Sequence, residues 1–168
     1  TQRKAGFWIL AAGEQGPLET LGPEPTEEAF EAFLTTDDST RHLHSLLRDQ
    51  HVVAGIGRGY ADDALNRARL SPFAALRALD DEERRRLLQS VRSVLEEALE
   101  QERTREGGLS EPKLGLRFRV HNRVGTPCPN CAHPLQRVSF ESHEVVYCAS
   151  CQTKGRVLAD RRLSRLLR

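Results

Sequence analysis

All four cysteines of the chain fall in one pattern: Cys128-Pro-Asn-Cys131, sixteen residues, then Cys148-Ala-Ser-Cys151. Two residues between paired cysteines let a tight knuckle turn both sulfurs toward one ion. Four thiolates at about 2.3 Å suit Zn²⁺, a d¹⁰ ion with no geometric preference of its own, and leave no position open for water. The expected site is therefore one structural zinc, not a hydrolytic one. Two disulfides are the competing reading, but the spacing and the lack of a signal-peptide pattern favour the metal. Such ribbons serve DNA, RNA and protein partners alike, so the site alone names no partner.

A second feature is Gly55-Ile56-Gly57-Arg58-Gly59-Tyr60, which runs directly into a helical pattern. Free backbone N–H groups and the positive end of a helix can hold an anion there, with Gly57, Arg58 and Tyr60 nearest to it. No Gly-Lys-Ser/Thr follows, so this is not a nucleotide-binding P-loop. A tight turn between packed helices explains the glycines as well, and taken alone the loop favours that simpler reading. Arg117, Arg119, Arg123, Arg137, Lys154 and Arg156 flank the cysteines. Facing one way, they would follow a DNA backbone.

Charge is unevenly spread. Residues 1–108 hold 14 Lys/Arg against 20 Asp/Glu, a balance of −6; residues 109–168 hold 11 against 4, a balance of +7. Either a polyanion-facing end or a solvated Arg-rich surface accounts for this equally well.

The elements that must position these groups are mostly helical. Residues 7–10 form a short apolar run that reads as a strand, and the Gly/Pro-rich residues 13–25 read as a linker. Thr26 is placed to cap a helix carrying Phe30, Phe33 and Leu34 on one face. Further helices are expected over 41–48 and 60–69, the latter stopped by Ser71-Pro72. The clearest starts at Asp80, paired with Glu83 as in a capping box, with Leu87, Leu88, Val91, Val94, Leu95, Ala98 and Leu99 as its buried stripe. After Gly107-Gly108 the period falls to two over 116–120 and 135–140, and 144–147 is also strand-like, so the last two form a hairpin turning near Glu141-Ser142. Residues 155–168 suggest a short basic helix.

At 168 residues the chain can bury a core of one domain or two small ones. No apolar run approaches the roughly 20 residues of a membrane span, and the expected location is cytoplasmic, nucleoid-associated if the source is bacterial. The absence of Met suggests a chain that begins inside a longer protein.

Together these features resemble the formamidopyrimidine-DNA glycosylase/endonuclease VIII family of repair glycosylases. Arg3-Lys4-Ala5-Gly6 with the strand after it is similar to the end of that family's N-terminal β-domain, and Leu21-Gly22-Pro23-Glu24-Pro25 to its interdomain linker. The stretch from Leu47 to Asp62, through Gly55-Ile56-Gly57-Arg58-Gly59-Tyr60, is similar to the core of the helix-two-turn-helix domain. Phe118-Arg119-Val120-His121-Asn122-Arg123 up to Cys128-Pro129 is similar to the approach to the zinc finger.

The resemblance implies a mostly α fold with a small β part, divided as 1–25 (end of the β-domain and linker), 26–106 (helix-two-turn-helix), 107–154 (β-hairpin zinc finger) and 155–168 (basic tail). It implies binding of double-stranded DNA with damaged bases or abasic sites, by a monomer, in a base-excision glycosylase/AP lyase. The nucleophile of that family is an N-terminal proline amine, which forms a Schiff base with the sugar, assisted by an adjacent glutamate. This sequence starts at Thr1, matching the interior of the N-terminal domain, so the 168 residues are expected to bind DNA and not to catalyse. A non-catalytic DNA-binding protein derived from the family is the alternative.

Several positions depart from the family pattern. Arg58 stands where an Asn usually donates to a phosphate, Ala5 where many members have a wedging Phe, and His143 where a DNA-inserting Arg sits five residues before the third cysteine. Arg3 matches the arginine that reads the opposite base. The short stretch from Gly107 to Arg123 is closer to the endonuclease VIII branch, and the Arg-rich tail past Cys151 has no counterpart in typical members.

Overall fold

A computed structural model describes residues 9, 11–13, 16–104, 118–140 and 143–158. After a 3-10 turn (Gly16–Thr20) come α1 (Glu28–Thr36), α2 (Leu43–Leu47), α3 (Arg58–Ala68), a 3-10 turn (Leu76–Ala78) and α4 (Asp81–Arg103); β1 (Leu135–Ser139), β2 (Glu144–Cys148) and α5 (Ala149–Thr153) follow. The expected architecture is observed: a mostly helical body followed by a small antiparallel hairpin.

The body closes around Phe30 and Leu34 of α1, Leu43, Leu46 and Leu47 of α2, Leu65 of α3 and Leu87 of α4, all fully buried. α3 packs on α4, α2 and β2, and α4 also carries α1. The stripe read for α4 is buried as far as Ala98, but Leu99 is 50% exposed. A helix of 23 residues is about 35 Å long and α3, with 11, only about 16 Å, so α4 outruns its partner.

Local chemistry sets the helix ends. Asp80 and Glu83 form the expected capping box, with Glu83 N donating to Asp80 Oδ1 at 2.8 Å and Asp80 N donating to Glu83 Oε2 at 3.2 Å. α1 opens later than expected: Glu27, not Thr26, is the N-cap, and its carboxylate accepts from the Glu24 amide at 2.9 Å. At the other end of α1, the buried Arg84 guanidinium donates to the carbonyls of Leu34 at 2.7 Å and Asp37 at 3.0 Å, satisfying groups a helix end leaves open. α3 starts two residues earlier than the sequence suggested and ends at Arg69, which takes the left-handed conformation at φ 56°.

Two expected elements differ where the residues are described. Residues 118–120 are not a strand, because the amides of Arg119 and Val120 donate to the Asp63 carboxylate at 2.7 and 2.9 Å instead of to a neighbouring strand. A short helix not read from the sequence lies at 149–153, stopped by the positive φ of Lys154 and Gly155, and the described residues 155–158 are not helical. Leu158 N then donates to the Tyr147 hydroxyl at 2.7 Å. The tail beyond residue 158 and most of the strand read over 7–10 lie outside the described residues; Ile9 and Ala11 themselves are not in a strand.

Candidate metal centre and nucleic-acid interface

The hairpin pairs Leu135 with Cys148 and Ser139 with Glu144, and this register returns the second knuckle to the first. In the first knuckle, Ala132 N donates to Cys128 O at 2.8 Å and Asn130 N points at Cys128 Sγ from 3.4 Å. The second opens α5, with Cys151 N directed at Cys148 Sγ from 3.5 Å. All four Sγ atoms lie within 4.8 Å of one another, and none is in a disulfide. A tetrahedron with metal–sulfur bonds of about 2.3 Å has sulfurs about 3.8 Å apart, so the cluster fits one ion in a zinc-finger-like arrangement. Burial opposes ionisation of Cys131, yet hydrogen bonds from Cys151, His133 and Cys148 outweigh it and bring the thiol down to about 6. Burial pushes the Cys148 and Cys151 thiols up.

The glycine loop is closed by one side chain. Gln50 Oε1 accepts from Gly55 N at 2.9 Å, and its Nε2 donates to Ile56 O at 3.0 Å. Gly55 takes φ +82°, a conformation L side chains rarely adopt. The loop delivers the chain to Gly57, the N-cap of α3, which has no side chain to cap that helix. The first-turn amides and the exposed Arg58 therefore stand at a positive helix end.

The sequence places Arg58 and His143 far apart, and the structure puts them in one field. Burial, then the charges of Arg48, Arg58 and His44, hold His143 below the ordinary histidine pKa. Burial, then Arg58, likewise lowers the pKa of Arg48. His143 stacks on Phe140 with centroids 4.7 Å apart and lies parallel to His44 at 6.2 Å. These rings, with His42, Phe73 and Val145, line a cleft of about 220 Å³ between the helical body and the hairpin.

The other sequence candidates are spread more widely. Tyr60 packs edge-on to Phe118 at 5.3 Å. Arg137 projects from β1 and pairs with Glu144 across the hairpin at 2.8 Å. Arg123 is exposed in the turn before the first knuckle. Arg3 lies outside the described residues, as do Ala5 and Arg117.

Three residues of this site drew no role from the sequence: Arg48, Asp62 and Asp63. The fully buried Asp62 carboxylate lies 3.2 Å from His44 Nε2 and 2.6 Å from His121 Nδ1, joining α2, α3 and the approach to the first knuckle. The His44 approach lacks hydrogen-bond geometry. Asp63 accepts from the amides of Arg119, Val120 and His121. The available signal was two adjacent acids among Ala61, Ala64 and Leu65, where burial demands partners.

Residues 21–107 match the family described as "Formamidopyrimidine-DNA glycosylase H2TH domain". The chain belongs to that family. The formamidopyrimidine-DNA glycosylase of Thermus thermophilus is 42% identical over 149 residues, covering 82% of this chain and 55% of that protein. The chain thus spans about half the length of this relative. An "uncharacterized formamidopyrimidine-DNA glycosylase-like protein" of Mycobacterium tuberculosis is 35% identical over 164 residues, covering 94% of this chain and 99% of that one. Among solved structures, the T. thermophilus MutM (Fpg) protein superposes with a TM-score of 0.66 at 40% identity, over 81% of this chain and 55% of that chain. The Lactococcus lactis formamidopyrimidine-DNA glycosylase, bound non-covalently to DNA with an abasic site, gives 0.67 at 27% identity, over 80% and 50%. These relatives carry the formamidopyrimidine name. The stretch that suggested the endonuclease VIII branch, Gly107 to Arg123, is undescribed up to residue 117.

Proposed function

We propose that this chain is the DNA-gripping portion of a base-excision repair glycosylase/AP lyase that engages duplexes carrying oxidised bases or abasic sites. The observation that carries the reading is that Arg48, Arg58 and His143 lie in one electrostatic field beside the N-terminus of α3, where Gly57 offers no side-chain cap. Cationic forks and backbone amides at one helix end suit a phosphate. The L. lactis neighbour, solved on DNA with an abasic site, supports a duplex as the source of that phosphate.

Cys128, Cys131, Cys148 and Cys151 hold one zinc, which supplies no chemistry beyond a closed tetrahedral anchor. Gly57, Arg58, Tyr60, Arg123, Arg137 and His143 belong to the DNA face, and Arg3 to the reading of the opposite base. Arg58 grips through its guanidinium fork where relatives are expected to use an amide. His143, shorter than an arginine and neutral at pH 7, makes a weaker contact from the hairpin. The protein acts as a monomer in the compartment that holds the DNA; among the described residues no helix is long and apolar enough to cross a membrane. Schiff-base chemistry belongs to an N-terminal proline in the parent enzyme, and these residues supply binding.

The test is fluorescence anisotropy on a duplex with an abasic-site analogue, with salt varied. Arg58→Ala should weaken binding equally on all sequences and reduce the salt slope by about 1, because phosphates carry no base identity. A sequence-dependent loss, or an unchanged slope, would contradict the role.

A second reading is a DNA-binding protein derived from the family without lyase chemistry, in keeping with Arg58 and His143 standing where the family pattern has Asn and Arg. Borohydride trapping of the full-length protein on abasic DNA separates the two: a covalent adduct supports the enzyme, and its absence supports the binder.

A further inference from the structure

Both cysteine knuckles end against one helix. α3 stops at Asn66–Ala68, and its last carbonyls need partners from elsewhere. The first knuckle supplies one: Asn130 Nδ2 donates to Asn66 O at 2.8 Å and to Asn66 Oδ1 at 3.1 Å. The second supplies another just past the helix, where Gln152 Nε2 donates to Leu70 O at 2.8 Å. In return, Asn66 Nδ2 donates to Gln152 Oε1 at 3.0 Å and reaches Cys128 Sγ at 3.7 Å. Gln152 Oε1 also accepts from Cys148 N at 2.7 Å. Asn66 is 2% exposed and Gln152 6%, so water competes little for these bonds. The amide oxygens of Asn66 and Gln152 both accept and the amide nitrogens of Asn66, Gln152 and Asn130 all donate, and a buried polar network satisfied in this way is rigid.

We propose that Asn66 is a positioning residue of the metal site, supplied by the helical body, so that metal retention and the C-terminal end of α3 stabilise one another. This rests on the metal reading above. Four thiolates around a divalent ion leave two negative charges in excess, and N–H donors aimed at the sulfurs offset them. Two such donors, Asn130 N and Cys151 N, come from the knuckles themselves; Asn66 Nδ2 comes from 62 residues upstream of Cys128. α3 carries Arg58 at its first turn and the knuckles at its last, so the bound ion fixes where the hairpin, and His143 with it, stands relative to Arg58.

The experiment compares metal release to a chelator, and spectra after cobalt substitution, in the full chain and in Asn66→Leu, Asn66→Asp and Leu65→Ala. Leu65 is a fully buried member of the helical core, in a different cluster from the cysteines, and its loss destabilises α3 without removing a hydrogen bond to the knuckles. Both Asn66 variants should release metal about 10- to 100-fold faster than the parent and shift the thiolate-to-cobalt bands. Leu65→Ala should lower thermal stability, speed release by less than either Asn66 variant and leave the cobalt bands in place. Amides of Arg69 and Leu70 should exchange faster once the parent chain is stripped of metal, since linkage is reciprocal. If the Asn66 variants do not fold, Asn130→Ala, which removes one donor at a half-buried site, should move release in the same direction by less. Release from the Asn66 variants, or from Asn130→Ala where those fail to fold, that matches Leu65→Ala overturns the proposal and leaves the metal reading intact. A parent chain that takes up no metal brings down both.

Discussion

The ring of Phe118 lies against the bare Cα of Gly59, so close that a Cβ there would sit 2.3 Å from its Cζ. The ring also meets Tyr60 and His121 edge-on, at 5.3 and 5.2 Å. Gly59 is thus a packing glycine in the first turn of α3, and its vacancy seats the segment that leads to the first knuckle. Gly59→Ala should destabilise the fold by about 1–3 kcal/mol through overpacking, read as a lower thermal midpoint. Adding Phe118→Ala should recover part of that loss. Strictly additive effects in the double variant would mean the two residues do not share this contact.

Asp63 ties the same segment from the other side. Removing its carboxylate leaves the amides of Arg119, Val120 and His121 without their acceptor in a half-buried place. Asp63→Ala should cost about 2–4 kcal/mol, and hydrogen exchange should rise at those three amides before it rises in α4. Unchanged protection there would show that the segment is held by Phe118 alone.

His143 makes the proposed DNA contact sensitive to pH. Burial and the neighbouring positive groups keep the free ring below the ordinary histidine value, so it is neutral at pH 7. A phosphate beside it favours the charged form, and binding then takes up a proton. Affinity should rise as pH falls from about 7 and level off below the depressed value of the free protein. Fold stability runs the other way: the contribution of His143 is fully present above the unfolded value of about 6.5 and is lost as pH falls toward the folded one. His143→Gln should flatten the affinity profile, and His143→Arg should flatten it while raising affinity. A wild-type profile as flat as that of His143→Gln would remove His143 from the grip.

Much of this was legible in the residues. The spacing of Cys128, Cys131, Cys148 and Cys151 called for one closed metal site, and hairpin and knuckles meet as that geometry requires. The Asp80–Glu83 pair marked the start of α4 because capping is a short-range exchange of two hydrogen bonds. Periodicity failed where a long-range partner overrode it. Residues 116–120 alternate like a strand in the sequence, yet the amides of Arg119, Val120 and His121 find a carboxylate 56 to 58 positions away. Leu99 keeps the stripe's period but is half exposed. The Asp62 bridge, the Asn66–Gln152 network and the meeting of Arg48 with His143 join residues from separate elements, and no local pattern announces such contacts.

DNA binding by the full chain, with and without its metal, tests the central claim most directly. Purified protein should carry one zinc, and anisotropy on a duplex with an abasic-site analogue should show salt-dependent binding that is lost when Cys128 or Cys148 is changed to Ser. Metal-free protein that binds the duplex as tightly as the zinc form, or zinc-loaded protein that does not bind it, would contradict that claim.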